Sequence, residues 1–194
     1  PPPPPGESPL DATRVNLDVS TMICLVSALT NSPPPPEVVG DAAMCPDRTI
    51  AAMMAAERIA PVLPTLLPLL AGRRLVACPA ALASFKSIVG TIGGTAEQIR
   101  AAELLERVAV LEGPPSERCA ALRPSARVKP LPREIFGVAD RHRVVTASAN
   151  RGFVRAARSQ GVSVAAELHD ARCLSESGGA ASRARPPQSP PPPA

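Results

Sequence analysis

The stretch that decides the fold is Val15-Asn16-Leu17-Asp18-Val19-Ser20-Thr21-Met22-Ile23, a short apolar strand pattern that ends at one carboxylate. Hydroxyl residues and an apolar run follow at once, which predicts that the chain turns from a strand into a helix at Asp18. Residues 144–153, VVTASANRGF, repeat this strand-then-polar form far down the chain. Ligands and catalytic groups collect at the carboxyl ends of strands in open α/β sheets, so both segments direct attention to that edge.

Outward from these segments, apolar strand patterns alternate with helical ones. This alternation predicts an α/β fold with a mostly parallel central sheet and helices on both faces. The apolar strands show little period-two alternation, as expected when both faces of a sheet are covered. The predicted strands are 15–18, 74–78, 108–111, 143–146 and 162–168, the predicted helices are 21–29, 47–59, 79–89, 95–107, 116–122 and 152–160, and residues 135–140 read as a strand or as a turn that places Asp140.

The two ends of the chain differ from its middle in composition. Proline runs occupy residues 1–5 and 190–193, and residues 175–194 are mostly Ser, Gly, Ala, Arg and Pro. Such segments bury too little apolar surface to order themselves, so we predict a disordered Pro-rich linker over 1–9 and a disordered tail over 175–194. The folded domain is predicted over 10–174. The chain begins with Pro rather than Met, which indicates a fragment in which an upstream targeting segment would not be visible.

Composition also bounds the partners and the compartment. The chain has three Phe, no Tyr and no Trp, and its net charge is only +4, which weakens any nucleic-acid role that depends on base stacking. Five cysteines without a Cys-x-x-Cys pair predict buried thiols in a reducing intracellular compartment, the cytoplasm or the nucleus. The apolar run 59–71 contains three prolines and is too short to cross a bilayer, so no membrane span is predicted.

Several long blocks of the sequence resemble a eukaryotic family of uncharacterised proteins, domain of unknown function 1308. These blocks are NLDVSTMICLVSAL (16–29), ACPAALASFKSIVGTIGGTAEQIRA (77–101), PPSER (114–118), IFGVAD (135–140) and VTASANRGFVRAARSQGVSV (145–164). The resemblance covers nearly all of residues 10–177. The family in turn looks related to the PIN domain, a small α/β fold best known from metal-dependent ribonucleases. The resemblance therefore implies a PIN-like three-layer fold.

The PIN resemblance also implies a set of site residues. PIN nucleases hold Mg²⁺ or Mn²⁺ with acidic residues at the carboxyl ends of strands, and the bound ion activates water and neutralises phosphate. Asp18 matches the first acid of that pattern, Asp140 is a candidate third acid, and Asn150 stands where the last acid is expected. The second acid is expected near Ser84, where this chain has no carboxylate, so the resemblance implies a depleted site of Asp18, Asp140 and Asn150.

Each candidate also has a structural interpretation. Asp18 fits a helix N-cap, Asp140 a turn, and Asn150 a turn or the cap of the next helix. Glu97 and Glu134 are spare carboxylates that the fold would have to bring near the site. The hypotheses are a binding or interaction module of pseudo-nuclease type, an Mg²⁺- or Mn²⁺-dependent ribonuclease with an altered acid set, and a purely structural domain. RNA is a candidate partner of the first two, and no protein partner is predicted. Arg155 and Arg158 could contact phosphate, but the structural interpretation, surface arginines at i and i+3, is the favoured one.

Overall fold

A computed structural model describes residues 9–32 and 48–176 of the chain. Strands and helices alternate through most of these ranges, as the sequence predicts. The strands are β1 (Asp11–Leu17), β2 (Arg74–Ala77), β3 (Ala109–Val110), β4 (Val144–Ser148) and β5 (Ala166–Leu168), and the helices are α1 (Val19–Val26), α2 (Ala28–Asn31), α3 (Arg48–Ile59), α4 (Leu63–Leu70), α5 (Pro79–Ile92), α6 (Thr95–Arg107), α7 (Glu117–Ala120), α8 (Pro130–Arg141) and α9 (Arg151–Ser159).

The strands form one parallel sheet in the order β3-β2-β1-β4-β5. The predicted α/β class is confirmed, and the layered arrangement is consistent with a PIN-like three-layer fold. The chain moves outward from β1 to β3 and then returns to place β4 on the other side of β1. This reversal makes the junction between β1 and β4 a topological switch point, where α/β folds open a crevice for ligands at the carboxyl edge.

The core is built almost wholly from aliphatic side chains, because the chain has so few aromatic residues. Val15 and Leu17 of β1 have no exposed surface, and they belong to a large cluster that joins the sheet to the helices. A second cluster lies around Phe136 and Phe153, whose stacked ring centroids are 4.6 Å apart. This aromatic pair fixes α8 against α9, the helix that leaves the carboxyl end of β4.

Helix α8 is the main departure from the predicted elements. Residues 135–140, predicted to be a strand or a turn, lie inside it, and all six are buried. Pro130 begins the helix at a position where its missing N–H costs no hydrogen bond. Gly137 faces Pro115 so closely that a Cβ at this position would collide with the proline ring, which explains a glycine in the middle of a helix.

Two other helices differ from the predicted elements. Helix α5 continues through Gly90 to Ile92, beyond its predicted end at residue 89, and α4 forms over residues 63–70, for which the sequence predicts no helix. Helix α9 ends as predicted, with Gly161 just beyond it at φ +83°, in the left-handed region that glycine adopts without strain. Residue 47, the predicted start of α3, lies outside the described residues.

The C-terminal part of the fold reaches beyond the predicted boundary at residue 174. The Ser175 amide donates a 2.9 Å hydrogen bond to the Glu97 carboxylate. The Glu176 carboxylate accepts hydrogen bonds from the amides of Ala96 and Glu97, at 3.2 and 3.0 Å. These contacts tie residues 175 and 176 to the start of α6. The remainder of the predicted tail, and residues 1–8 of the predicted linker, lie outside the described residues.

No single helix in residues 9–32 or 48–176 has both the length and the apolar character needed to cross a membrane. Helices α3 and α4 reach that length and composition only when taken as a pair, and a bend of 72° separates them.

Candidate functional site

Asp18 occupies the junction between β1 and α1 and is only 6% exposed. Its Oδ1 accepts a 2.7 Å hydrogen bond from the Val19 amide, so the side chain caps α1. Its Oδ2 accepts hydrogen bonds from the hydroxyls of Ser20, at 2.9 Å, and Ser148, at 2.5 Å. Both carboxylate oxygens are therefore engaged by groups within the fold.

The end of β4 meets Asp18 through hydroxyl groups. The Ser148 hydroxyl accepts a 2.9 Å hydrogen bond from the Asn150 amide, and the Ser20 hydroxyl accepts one of the same length from the Ala149 amide. The Asn150 Oδ1 accepts from the Phe153 amide at 3.0 Å and caps α9. The structure thus brings Asp18 and Asn150 to the same edge of the sheet, where each caps a helix.

Asp140 lies at the opposite edge of the sheet. It is in the last turn of α8, and its carbonyl accepts a hydrogen bond from the Arg143 amide just before β4 begins. The Arg143 carbonyl in turn accepts from the amide of Asp11, the first residue of β1. Because β1 and β4 are parallel, Asp140 is at their amino ends, whereas Asp18 is at their carboxyl ends. The expected convergence of Asp140 with Asp18 and Asn150 is wrong.

The Asp140 side chain instead belongs to a local ion pair. Its carboxylate accepts a 2.6 Å hydrogen bond from Ser116 Oγ and pairs with the Arg118 guanidinium through two oxygens, at 2.5 and 2.7 Å. Burial alone raises the pKa of Asp140, but the hydrogen bonds from Arg118 and Ser116 outweigh it and hold the pKa below its ordinary value. A carboxyl group whose pKa is lower in the folded state stabilises the fold above its unfolded pKa and loses that contribution on acidification.

We expect Asp140→Asn to destabilise the domain at neutral pH, and the deficit to shrink as the pH falls through the acid range. Below both pKa values the wild-type residue is protonated in the folded and unfolded states, so its ionic advantage disappears. Urea denaturation of both proteins between neutral pH and pH 3 measures this difference. A deficit that stays constant across the series would show that the Asp140 charge contributes nothing to stability.

The two spare carboxylates occupy different environments. Glu97 is completely buried at the start of α6, and its oxygens accept hydrogen bonds from the amides of Ala28 and Gly94 as well as Ser175. Glu134, by contrast, is exposed on α8, next to Ile135, whose carbonyl lies 3.5 Å from the Asn16 side-chain nitrogen. Helix α8 ends at the amino edge, so its first turns, which include Glu134, lie toward the carboxyl edge.

His169 is a site residue that the sequence analysis missed. It is 2% exposed, and its Nε2 lies 2.7 Å from the Thr21 hydroxyl, which donates to the Ala147 carbonyl at 2.6 Å. Burial lowers the pKa of His169, and this effect exceeds the opposing influence of the Asp170 backbone and the Asp18 charge. His169 follows β5 and contacts Thr21 of α1. The end of β5 therefore joins the ends of β1 and β4 at this edge of the sheet. Its separation of 148 residues from Thr21 hid the contact.

The side chains at the carboxyl edge that could bind a metal ion carry little negative charge. Within the described ranges, no group of three or more His, Cys, Asp or Glu side chains is arranged to hold a metal ion. A Mg²⁺ ion that keeps several waters needs only one or two carboxylates, so Asp18 is the natural first ligand of any ion bound here. Such an ion would compete with the hydroxyls of Ser20 and Ser148 for the Asp18 oxygens.

The fold and this edge define a class: an open parallel α/β domain with a buried polar cluster at its switch point. Within that class, residues 15–183 match the family described as protein of unknown function (DUF1308), and the chain belongs to this family. The match includes Asp18, Ser20, Ser148, Asn150 and His169, and it confirms the resemblance to this family that the sequence blocks predict. A search of the solved structures finds none that matches this chain.

Proposed function

We propose that this domain is a PIN-like binding module of the pseudo-nuclease type. The observation that carries the proposal is the state of Asp18, whose two oxygens accept three hydrogen bonds from the fold. The neighbouring position that would complete an acidic set is Asn150, whose side-chain oxygen caps α9. An amide in place of a carboxylate removes one full charge from a site that would have to hold a divalent cation. Two-metal hydrolysis is therefore disfavoured.

The surface beside this edge supports RNA as the partner. An open cavity of about 520 Å³ is lined by Arg127, Gly152, Arg155, Ala156 and Ser159. Gly152, Ala156 and Ser159 are small residues of α9, and neither Arg127 nor Arg155 forms an ion pair with any described residue. Unpaired guanidinium groups are the usual contacts of backbone phosphates.

The positions of the aromatic residues indicate that RNA would be bound without base stacking. All three Phe side chains, Phe85, Phe136 and Phe153, are buried in the core and have no surface on which a base stacks. Affinity must then come from contacts between arginine and phosphate, which read no sequence and weaken as salt rises. We expect sequence-tolerant binding of single-stranded RNA.

The test is the salt dependence of RNA affinity in wild type and in the double variant Arg127→Gln, Arg155→Gln. Each phosphate contact contributes a slope of about −0.7 in a plot of log K against log salt for single strands, so losing both arginines should reduce the slope by about 1.4. The matched control is Arg73→Gln, Arg107→Gln, which removes the same charge from another surface. An equal loss in the control, or no binding by wild type, would contradict the proposal.

The alternative function is an Mg²⁺- or Mn²⁺-dependent ribonuclease with an altered acid set, and the placement of Glu134 favours it. Glu134 is exposed and lies in the half of α8 that is nearer the carboxyl edge, where Asp18 lies. The discriminating experiment incubates single-stranded and structured RNA with wild type, Asp18→Asn and Glu134→Gln in Mn²⁺. If wild type cleaves RNA efficiently and both substitutions abolish cleavage, the domain is a ribonuclease and the pseudo-nuclease proposal is wrong.

A further inference from the structure

A second cavity lies at the other edge of the sheet and has no part in the proposed RNA site. It has a volume of about 460 Å³ and is bounded by Leu25 and Val26 at the end of α1, Leu70 at the end of α4 and Leu75 at the start of β2. Helix α1 starts just after its cap Asp18, and its eight residues carry the chain roughly 12 Å away from the carboxyl edge. The volume falls in the range of small-molecule sites.

The wall of this cavity is mainly leucine. Helix α4 contributes Leu63, Leu67 and Leu70, and Leu25 and Leu104 face them from α1 and α6. Leu67 is 53% exposed, whereas its neighbour Leu66 is completely buried. An apolar chain seated against these leucines would remove that surface from water.

The rim of the cavity carries an excess of positive charge. Arg73, Arg100 and Arg107 line it together with a single acid, Glu103. Neither Arg73 nor Arg107 forms an ion pair with any described residue.

Arg100 supplies the most specific observation. Its Nε donates a 2.7 Å hydrogen bond to the Val26 carbonyl, which holds the guanidinium between α6 and α1. Its Nη2 is buried and has no hydrogen-bond partner. A buried donor without an acceptor is costly, so an acceptor that reached this nitrogen would stabilise the bound state.

We propose that this cavity binds a small apolar carboxylate, with its hydrocarbon chain against the leucine wall and its carboxylate at the Arg100 rim. A carboxylate accepts hydrogen bonds from guanidinium N–H groups, and Arg73 and Arg107 line the same cavity as Arg100 with no ion pair to any described residue. The leucines exclude a wholly polar anion as the best ligand, and the unpaired arginines exclude a neutral hydrocarbon. The ligand class is thus set by the joint presence of the two features.

The test uses decanoate as the probe and isothermal titration calorimetry on the full chain. We expect saturable binding at one site. Decan-1-ol, which keeps the chain without the charge, and acetate, which keeps the charge without the chain, should each bind at least about tenfold more weakly, since a hydrogen bond to a charged group or a short buried chain accounts for at least that factor.

Variants place the binding at this cavity. Arg100→Met should weaken decanoate binding about tenfold or more, which corresponds to the loss of a charge-assisted hydrogen bond. Arg100 also connects α6 to α1 through its hydrogen bond to Val26, so its substitution could alter the fold as well as binding. The double variant Arg73→Met, Arg107→Met and the substitution Leu67→Glu leave that hydrogen bond intact, and each should also weaken decanoate binding. The control is Arg127→Met, Arg155→Met, which removes the same charge elsewhere. Decanol binding as tight as decanoate binding, unsaturable binding, or an equal loss in the control would overturn the proposal.

Discussion

Replacing Arg172 with methionine is expected to lower the free energy of unfolding by about 3–5 kcal/mol, because it would leave a buried carboxylate without its counter-charge. The side chains of Arg172 and Glu57 are 2% and 3% exposed, and Arg172 Nε lies 2.6 Å from Glu57 Oε2. Glu57 also accepts from the Val62 amide, and Arg172 donates to the Ala60 carbonyl. The pair therefore connects the C-terminal segment to α3 and to the turn that follows it.

Urea or guanidinium denaturation followed by circular dichroism measures this effect. The matched control is the double variant Glu57→Met, Arg172→Met, in which no charge remains buried, and we expect it to be markedly more stable than Arg172→Met alone. A single variant within 1 kcal/mol of wild type would show that water reaches Glu57 in the native protein. A double variant no better than the single one would locate the loss in packing rather than in charge.

The predictable part of this fold is the part that local patterns determine. The turn from strand to helix at Asp18 could be predicted, because an apolar strand, a capping carboxylate and hydroxyl residues follow one another within a few residues. The turn at Asn150 has the same local pattern of a strand followed by polar residues. Asn150 caps α9, which is one of the two structural interpretations given for it. Parallel pairing of β1 with β4 then brings the two junctions together, since parallel strands end at the same edge.

The parts that could not be predicted depend on what covers each segment. Helix α8 is buried from Ile135 to Asp140 because the sheet lies on one side and residues 115–119 on the other, where Gly137 meets Pro115 and Cys119. Six consecutive buried residues leave no exposed polar position within this stretch to mark one face of a helix, so the segment resembled a strand. That error also misplaced Asp140, because a residue at the end of a helix before β4 lies at the amino edge.

The missing member of the site has a different cause. His169 reaches Thr21 only because β5 pairs with β4 and therefore ends at the same edge as β1. No local signal near His169 encodes that pairing. The C-terminal segment that carries His169 is in turn fixed by Arg172, so the buried ion pair indirectly positions the group that contacts α1. We infer that the polar cluster is built by long-range packing as much as by its own residues.

A further large effect is expected at Glu97, where substitution by alanine should lower the free energy of unfolding by about 3–5 kcal/mol, since each orphaned backbone donor costs about 1–3 kcal/mol. Glu97 is completely buried and accepts hydrogen bonds from Ala28, Gly94 and Ser175 at 2.8, 3.1 and 2.9 Å. It therefore joins the start of α2, the start of α6 and the C-terminal segment. Glu97→Gln keeps one acceptor oxygen and should cost clearly less than Glu97→Ala.

The same pair of variants decides whether Glu97 also belongs to a metal site. Denaturation in EDTA and in excess Mn²⁺ should give the same ranking and the same losses, because both oxygens of Glu97 already face backbone amides. A ligand that binds only the native state stabilises it in proportion to the logarithm of its concentration. If Mn²⁺ stabilised wild type and Glu97→Gln abolished that gain, Glu97 would be a metal ligand at a site separate from Asp18, because the Ala28 amide that it accepts from follows the end of α1 that lies away from Asp18. Equal losses in both buffers would leave Glu97 as the residue that holds α2, α6 and the C-terminal segment together.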